Sequence, residues 1–74
     1  MVLHYLITLL ADRYGCDPED VTMAALLDDL NLTMDDRGDI SMLLGELYGV
    51  EIPTDDLETF ETVEDLVGFV EDRM

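Results

Sequence analysis

The sequence predicts an all-α fold: a small four-helix bundle with a long first loop and a short third helix, residues 1–74 forming one domain. Two observations predict it. Apolar residues recur at helical spacing in three separate stretches, which gathers them on one face of each helix. Between those stretches stand helix stop and start signals: Gly15, Gly49, Pro53 and two Thr-x-x-Asp capping boxes.

The first helix is expected over Val2–Tyr14, with Leu3, Leu6, Ile7, Leu10 and Tyr14 in register and Gly15 as its C-cap. Residues 16–32 then form a long polar connection in which Val21, Leu26, Leu27 and Leu30 are spaced as anchors to the core. Structureless loops of this length are uncommon in a compact domain, so this one is expected to fold over the bundle. The second helix opens on the box Thr33-Met34-Asp35-Asp36, buries Ile40, Leu43, Leu44 and Leu47, and ends at Tyr48-Gly49. Val50-Glu51-Ile52-Pro53 is an extended turn, because proline disfavours helix in the residue before it. A short third helix starts at Thr54-Asp55-Asp56-Leu57 and is expected to end near Phe60. The box Thr62-Val63-Glu64-Asp65 opens the fourth, with Leu66, Val67, Phe69 and Val70 facing inward.

Composition narrows the function. Nineteen Asp and Glu stand against three arginines and no lysine, a net charge of -16. Nucleic acid phosphates and anionic lipid headgroups repel such a chain, since both are recognised by basic patches. Basic protein surfaces attract it, with fast and salt-sensitive association. A 74-residue chain buries only about 60% of its unfolded surface, which leaves little room for a deep substrate pocket. Cys16 is the single cysteine, so there is no internal disulfide or cysteine metal cluster, and a reduced cytoplasmic setting is expected. The apolar run over residues 2–11 lacks a basic flank and a small-residue cleavage site and is too short to span a bilayer. It reads as a core helix.

Several segments together resemble the acyl carrier protein family. They are Tyr14-Gly15-Cys16 with Glu19-Asp20-Val21-Thr22, then Asp28-Asp29-Leu30, then Leu47-Tyr48-Gly49-Val50-Glu51-Ile52-Pro53, then Glu61-Thr62-Val63. The resemblance runs nearly the whole length, without gaps from Leu30 onward. It implies a phosphopantetheine arm carried on a serine of an Asp-Ser-Leu motif at the start of the second helix. The three motif positions here are Thr33, Met34 and Asp35. Met34 has no hydroxyl from which to build a phosphodiester, so no bound cofactor is expected. Ser41, the sole serine, is the fallback attachment residue, but it lies 12 residues before Pro53 where the family spacing is 19, the spacing of Met34. The Thr33 oxygen is expected to be occupied in capping.

Around the second helix, Asp35, Asp39 and Glu46 form an acidic stripe that the resemblance assigns, with neighbouring Asp36, to basic surfaces of carrier-dependent enzymes. Gly38, Ser41 and Gly45 form a small-residue track bordered by Met34 and Met42. Each glycine inside a helix costs about 1 kcal/mol against alanine, so the track should accommodate a close neighbour. That neighbour is either a partner or second copy docked on this helix, or another helix of the same domain.

Other chemistry is weakly supported. His4 stands without a nucleophile or second ligand, so it reads as a surface residue and not a catalyst. Cys16 reads as inert packing. Asp35, Asp39 and Glu46 occupy positions 1, 5 and 12 of a calcium-loop frame, but Arg37 and Ile40 break it at positions 3 and 6. Only loose divalent binding by Asp28, Asp29, Asp35 and Asp36 remains. The resemblance, with no hydroxyl at Met34, thus implies a non-enzymatic acidic docking module of carrier-like build, for enzymes of fatty acid or polyketide type or other acyl- or peptidyl-processing enzymes. A working carrier loaded at Ser41 and an unrelated acidic helical adaptor are the two alternatives.

Overall fold

A computed structural model describes residues 2–74. Four α-helices appear in the expected order: α1 Val2–Tyr14, α2 Met34–Tyr48, α3 Thr54–Leu57 and α4 Val63–Arg73. The connection from α1 to α2 carries two short 3-10 turns, Pro18–Asp20 and Asp28–Leu30. No strand is present among the described residues, only an isolated bridge between Leu26 and Thr62. The bundle measures 27 × 23 × 20 Å.

The helix ends follow from local chemistry. Gly15 adopts φ 68°, and the Cys16 amide then reaches back to the Leu10 carbonyl at 3.2 Å. This is the reversal that a left-handed residue permits at a helix C-terminus. Gly49, at φ 69°, ends α2 in the same way, and the Val50 amide donates to the Gly45 carbonyl at 3.0 Å. Both capping boxes are formed. At α2 the Asp36 amide donates to Thr33 Oγ1 and the Thr33 amide to Asp36 Oδ2, each at 3.1 Å. At α4 the reciprocal bonds between Thr62 and Asp65 measure 3.1 and 3.2 Å. Each cap of this kind stabilises its helix by about 1 kcal/mol.

The long loop does fold over the bundle, and it does so by serving as a partner for α4. The first amides of a helix have no acceptor within it. Here the Val63 amide donates to the Ala25 carbonyl at 2.9 Å and the Glu64 amide to the Met23 carbonyl at 3.0 Å. In return, the Leu27 amide donates to the Glu61 carbonyl at 2.9 Å. Val21, Leu27, Leu30 and Leu32 are buried along the loop. Leu26 is not an anchor: it is 44% exposed. Its backbone bridges Thr62, and the chain turns at once into the helical conformation at Leu27, φ -60° and ψ -34°, which is the residue that enters the core.

The core joins Leu6, Leu9 and Leu10 of α1 to Ile40 and Leu44 of α2 and to Val63, Leu66, Val67 and Val70 of α4. Each fully buried leucine or valine contributes about 1.5–3 kcal/mol of transfer free energy. Two helices bury most of the expected residues but differ at the edge of the buried face. On α2 the buried seam is Ile40, Ser41 and Leu44, with Leu43 half-buried and Leu47 53% exposed. The Val50 turn and α3 cover α2 on its Ser41–Gly45 side, which turns Leu47 out. On α4, Phe69 sits half-buried at the rim, with its ring 5.4 Å from that of Phe60 and the Arg73 guanidinium 3.5 Å above it. A cation over a ring face is attractive, so Phe69 is held without full burial. The third helix is a single turn that ends at Leu57, and shorter i to i+3 bonds carry the chain on to Phe60.

The small-residue track divides at this level. A Cβ on Gly45 would meet the Val50 carbonyl oxygen at 2.5 Å, whereas one on Gly38 would meet nothing within 4 Å. The close neighbour of Gly45 is therefore the domain's own returning backbone, and not a crossing helix. Gly45→Ala should destabilise the domain by about 1–2 kcal/mol, overcrowding outweighing the gain in helix propensity. Gly38→Ala should stabilise it by up to about 1 kcal/mol. Urea unfolding measures both, and a Gly45→Ala variant as stable as the parent would contradict this packing.

Candidate functional site

The residues singled out in the sequence meet on the exposed face of α2 and at the junction that leads into it. Met34 is the first residue of the helix and is 45% exposed. Asp35, Asp39 and Glu46 are all exposed, and Met42, 59% exposed, stands among them. Residues three, four and seven apart share a helix face, so Asp35, Asp39, Met42 and Glu46 form one continuous strip. Gly38 is half-buried on its edge. Asp36 is turned away from this strip by its role in the capping box.

Behind the strip, Gly38, Ser41, Gly45, Val50, Ile52 and Leu57 line an open groove of about 380 Å³ between α2 and α3. Ser41 is only 5% exposed, and its Oγ is buried without a hydrogen-bond partner. It lies in the middle of α2, not at its tip. Thr33 Oγ1 accepts from the Asp36 amide.

The other residues weighed in the sequence do not assemble into a chemical centre. His4 is exposed on α1. No three His, Cys, Asp or Glu side chains converge on a metal position among the described residues. Asp28 is paired with Arg37 and Asp36 is engaged in its cap, which accounts for two of the four carboxylates considered for divalent binding. The segment tested as a calcium loop is helix. The Cys16 thiol donates to the Leu30 carbonyl at 3.8 Å, and burial, reinforced by Asp20, pushes its pKa up. A raised thiol is a poor nucleophile. Burial likewise raises the Tyr14 hydroxyl, with Asp36 and Asp39 adding to the effect and Arg13 opposing it.

One contact was not legible in the sequence. Arg37 reaches back across the junction, donating from Nε to the Leu32 carbonyl at 3.1 Å and from a terminal nitrogen to Asp28 at 2.6 Å. No short-range pattern signals a pair nine residues apart across a loop.

The chain is 34% identical to the acyl carrier protein of Thermosynechococcus vestitus, over 99% of its own length and 91% of that protein. It is 33% identical to the acyl carrier protein of Chlamydia trachomatis, over 88% of its own length and 86% of that protein. A third such protein, from Phenylobacterium zucineum, is 34% identical over 99% of the chain and 94% of the relative. The chain belongs to the acyl carrier protein family. No family model matches it. Membership removes the alternative of an unrelated acidic adaptor that only shares the bundle shape. No described helix of this acyl carrier protein family member is long and apolar enough to cross a membrane.

The α4 cap, which anchors the loop beneath the site, has a pH signature. The Asp65 carboxylate accepts from the Glu61 amide at 2.9 Å as well as from Thr62. The backbone bond from Glu61, followed by that from Thr62, holds its pKa below the ordinary carboxylate value. A group held low when folded stabilises the fold above its unfolded pKa, about 3.9 for aspartate, and that contribution fades as pH falls through the folded value. An NMR titration should give Asp65 a midpoint below that ordinary value, and Asp65→Asn should remove the corresponding acid-side loss of stability. A midpoint at or above the ordinary value would contradict the cap.

Proposed function

We propose that this chain is a carrier-family scaffold that docks onto carrier-dependent enzymes without bearing a phosphopantetheine arm. The observation that carries the reading is Met34. In the family register it occupies the attachment position at the exposed start of α2. Attachment makes a phosphodiester, which needs a side-chain oxygen to attack phosphorus. A thioether has no such oxygen. The nearest hydroxyl, on Thr33, is tied to the Asp36 amide, and the only serine is buried mid-helix.

What remains is an acidic surface with a soft apolar centre. Asp35, Asp39 and Glu46 surround Met42, and Gly38 leaves the helix backbone open to close approach. This arrangement fits a basic enzyme surface with an apolar contact at its middle. Charge of opposite sign accelerates encounter, and methionine adapts its shape to the contact. A second copy of the chain, at a net charge of -16, meets strong repulsion. The domain performs no reaction itself: the exposed His4 has no paired nucleophile, and the Cys16 thiol is held protonated. Its role is to occupy, regulate or assemble enzymes that handle loaded carriers, in a cytoplasmic setting.

The test is incubation of the parent and of Met34→Ser with coenzyme A and a promiscuous phosphopantetheinyl transferase, followed by intact mass. The parent should keep its mass while Met34→Ser gains one phosphopantetheine unit. A parent that gains the unit overturns the loss of the site, and a Met34→Ser variant that stays unloaded overturns the assignment of its position.

A further inference from the structure

Arg37 is the one arginine of the three that lies inside the longest helix. Its side chain is only 12% exposed although it carries a full charge. A buried cation without partners is strongly unfavourable, so the partners define what it does. Both lie before α2: the Leu32 carbonyl at 3.1 Å and the Asp28 carboxylate at 2.6 Å. Between them stands Asn31 at φ 59°, the one left-handed non-glycine residue among those described. Asparagine tolerates that conformation better than most residues but does not need it. A planar guanidinium presents its donors in a fixed fork and can meet a carbonyl and a carboxylate together, which an ammonium does less well.

We infer that Arg37 is a positioning residue, a latch that clamps residues 28–33 onto the first turns of α2 and so fixes how Met34 and Asp35 are presented. The latch depends on geometry alone and stands whether or not an enzyme partner is found. Its two bonds are unequal. Asp28 is 89% exposed, so water and salt screen the ion pair. The bond to the Leu32 carbonyl is part-buried, and a carbonyl withdrawn from water requires a donor. The bond from Nε is therefore the stronger holder.

Amide hydrogen exchange on the full chain reads this directly. The reporting amides are Leu30 and Asn31, which donate to Leu27 and Asp28, and Thr33, which donates to Asp36. Arg37→Gln preserves helix propensity and should speed exchange at these three amides by about tenfold, leaving the α1 and α4 cores within about twofold. Asp28→Asn should have a smaller effect at the same amides. Unchanged exchange in Arg37→Gln overturns the latch. So does unfolding of the whole chain or a uniform rise across the core, which would make Arg37 a general support. An Asp28→Asn effect as large as that of Arg37→Gln overturns the ranking of the two bonds.

Discussion

A helix start leaves amides with no acceptor inside the helix, and the way this chain satisfies those of α4 organises the rest of the molecule. The carbonyls of Met23 and Ala25 accept from Glu64 and Val63, while Leu27 donates back to Glu61. Those bonds bring a long polar loop against the fourth helix and set Leu27 and Leu30 into the core. With the loop docked, its far end arrives at Thr33 in position to cap α2, and Arg37 closes the junction. The exposed start of α2 is therefore held from two sides by hydrogen bonds.

That bonding is what makes the chemistry of one side chain informative. Here Thr33 is committed to its cap and Ser41 is enclosed within the second helix turns, which leaves Met34 at the tip. The surrounding charge follows the same logic. Acidic residues near a helix N-terminus are stabilised by the helix dipole, so Asp35 and Asp36 support α2 locally, and Asp35 remains available to an approaching basic surface.

Features decided by neighbouring residues were legible in the sequence. The bounds of α1, the two capping boxes and the glycine reversals at Gly15 and Gly49 all depend on residues within a few positions of one another. Features decided by rotation about a helix axis were less so. Leu47 and Phe69 keep helical spacing with the core but lie at the edge of the buried arc, and what packs on the opposite edge decides their exposure. Leu26 is exposed because it meets Thr62 through its backbone, while the chain turns at Leu27 and sets that side chain into the core. At the site, the exposure of Met34 follows from its place at the first helical position. The enclosure of Ser41 and the need for glycine at 45 depend on where the Val50 turn returns, which no local pattern encodes.

We propose that this member of the family carries no prosthetic arm. Intact mass of the protein isolated from its native host addresses it most directly, because the native transferases have then had every opportunity to act. The account predicts the mass of the bare polypeptide. A native population carrying phosphopantetheine on any residue would contradict it.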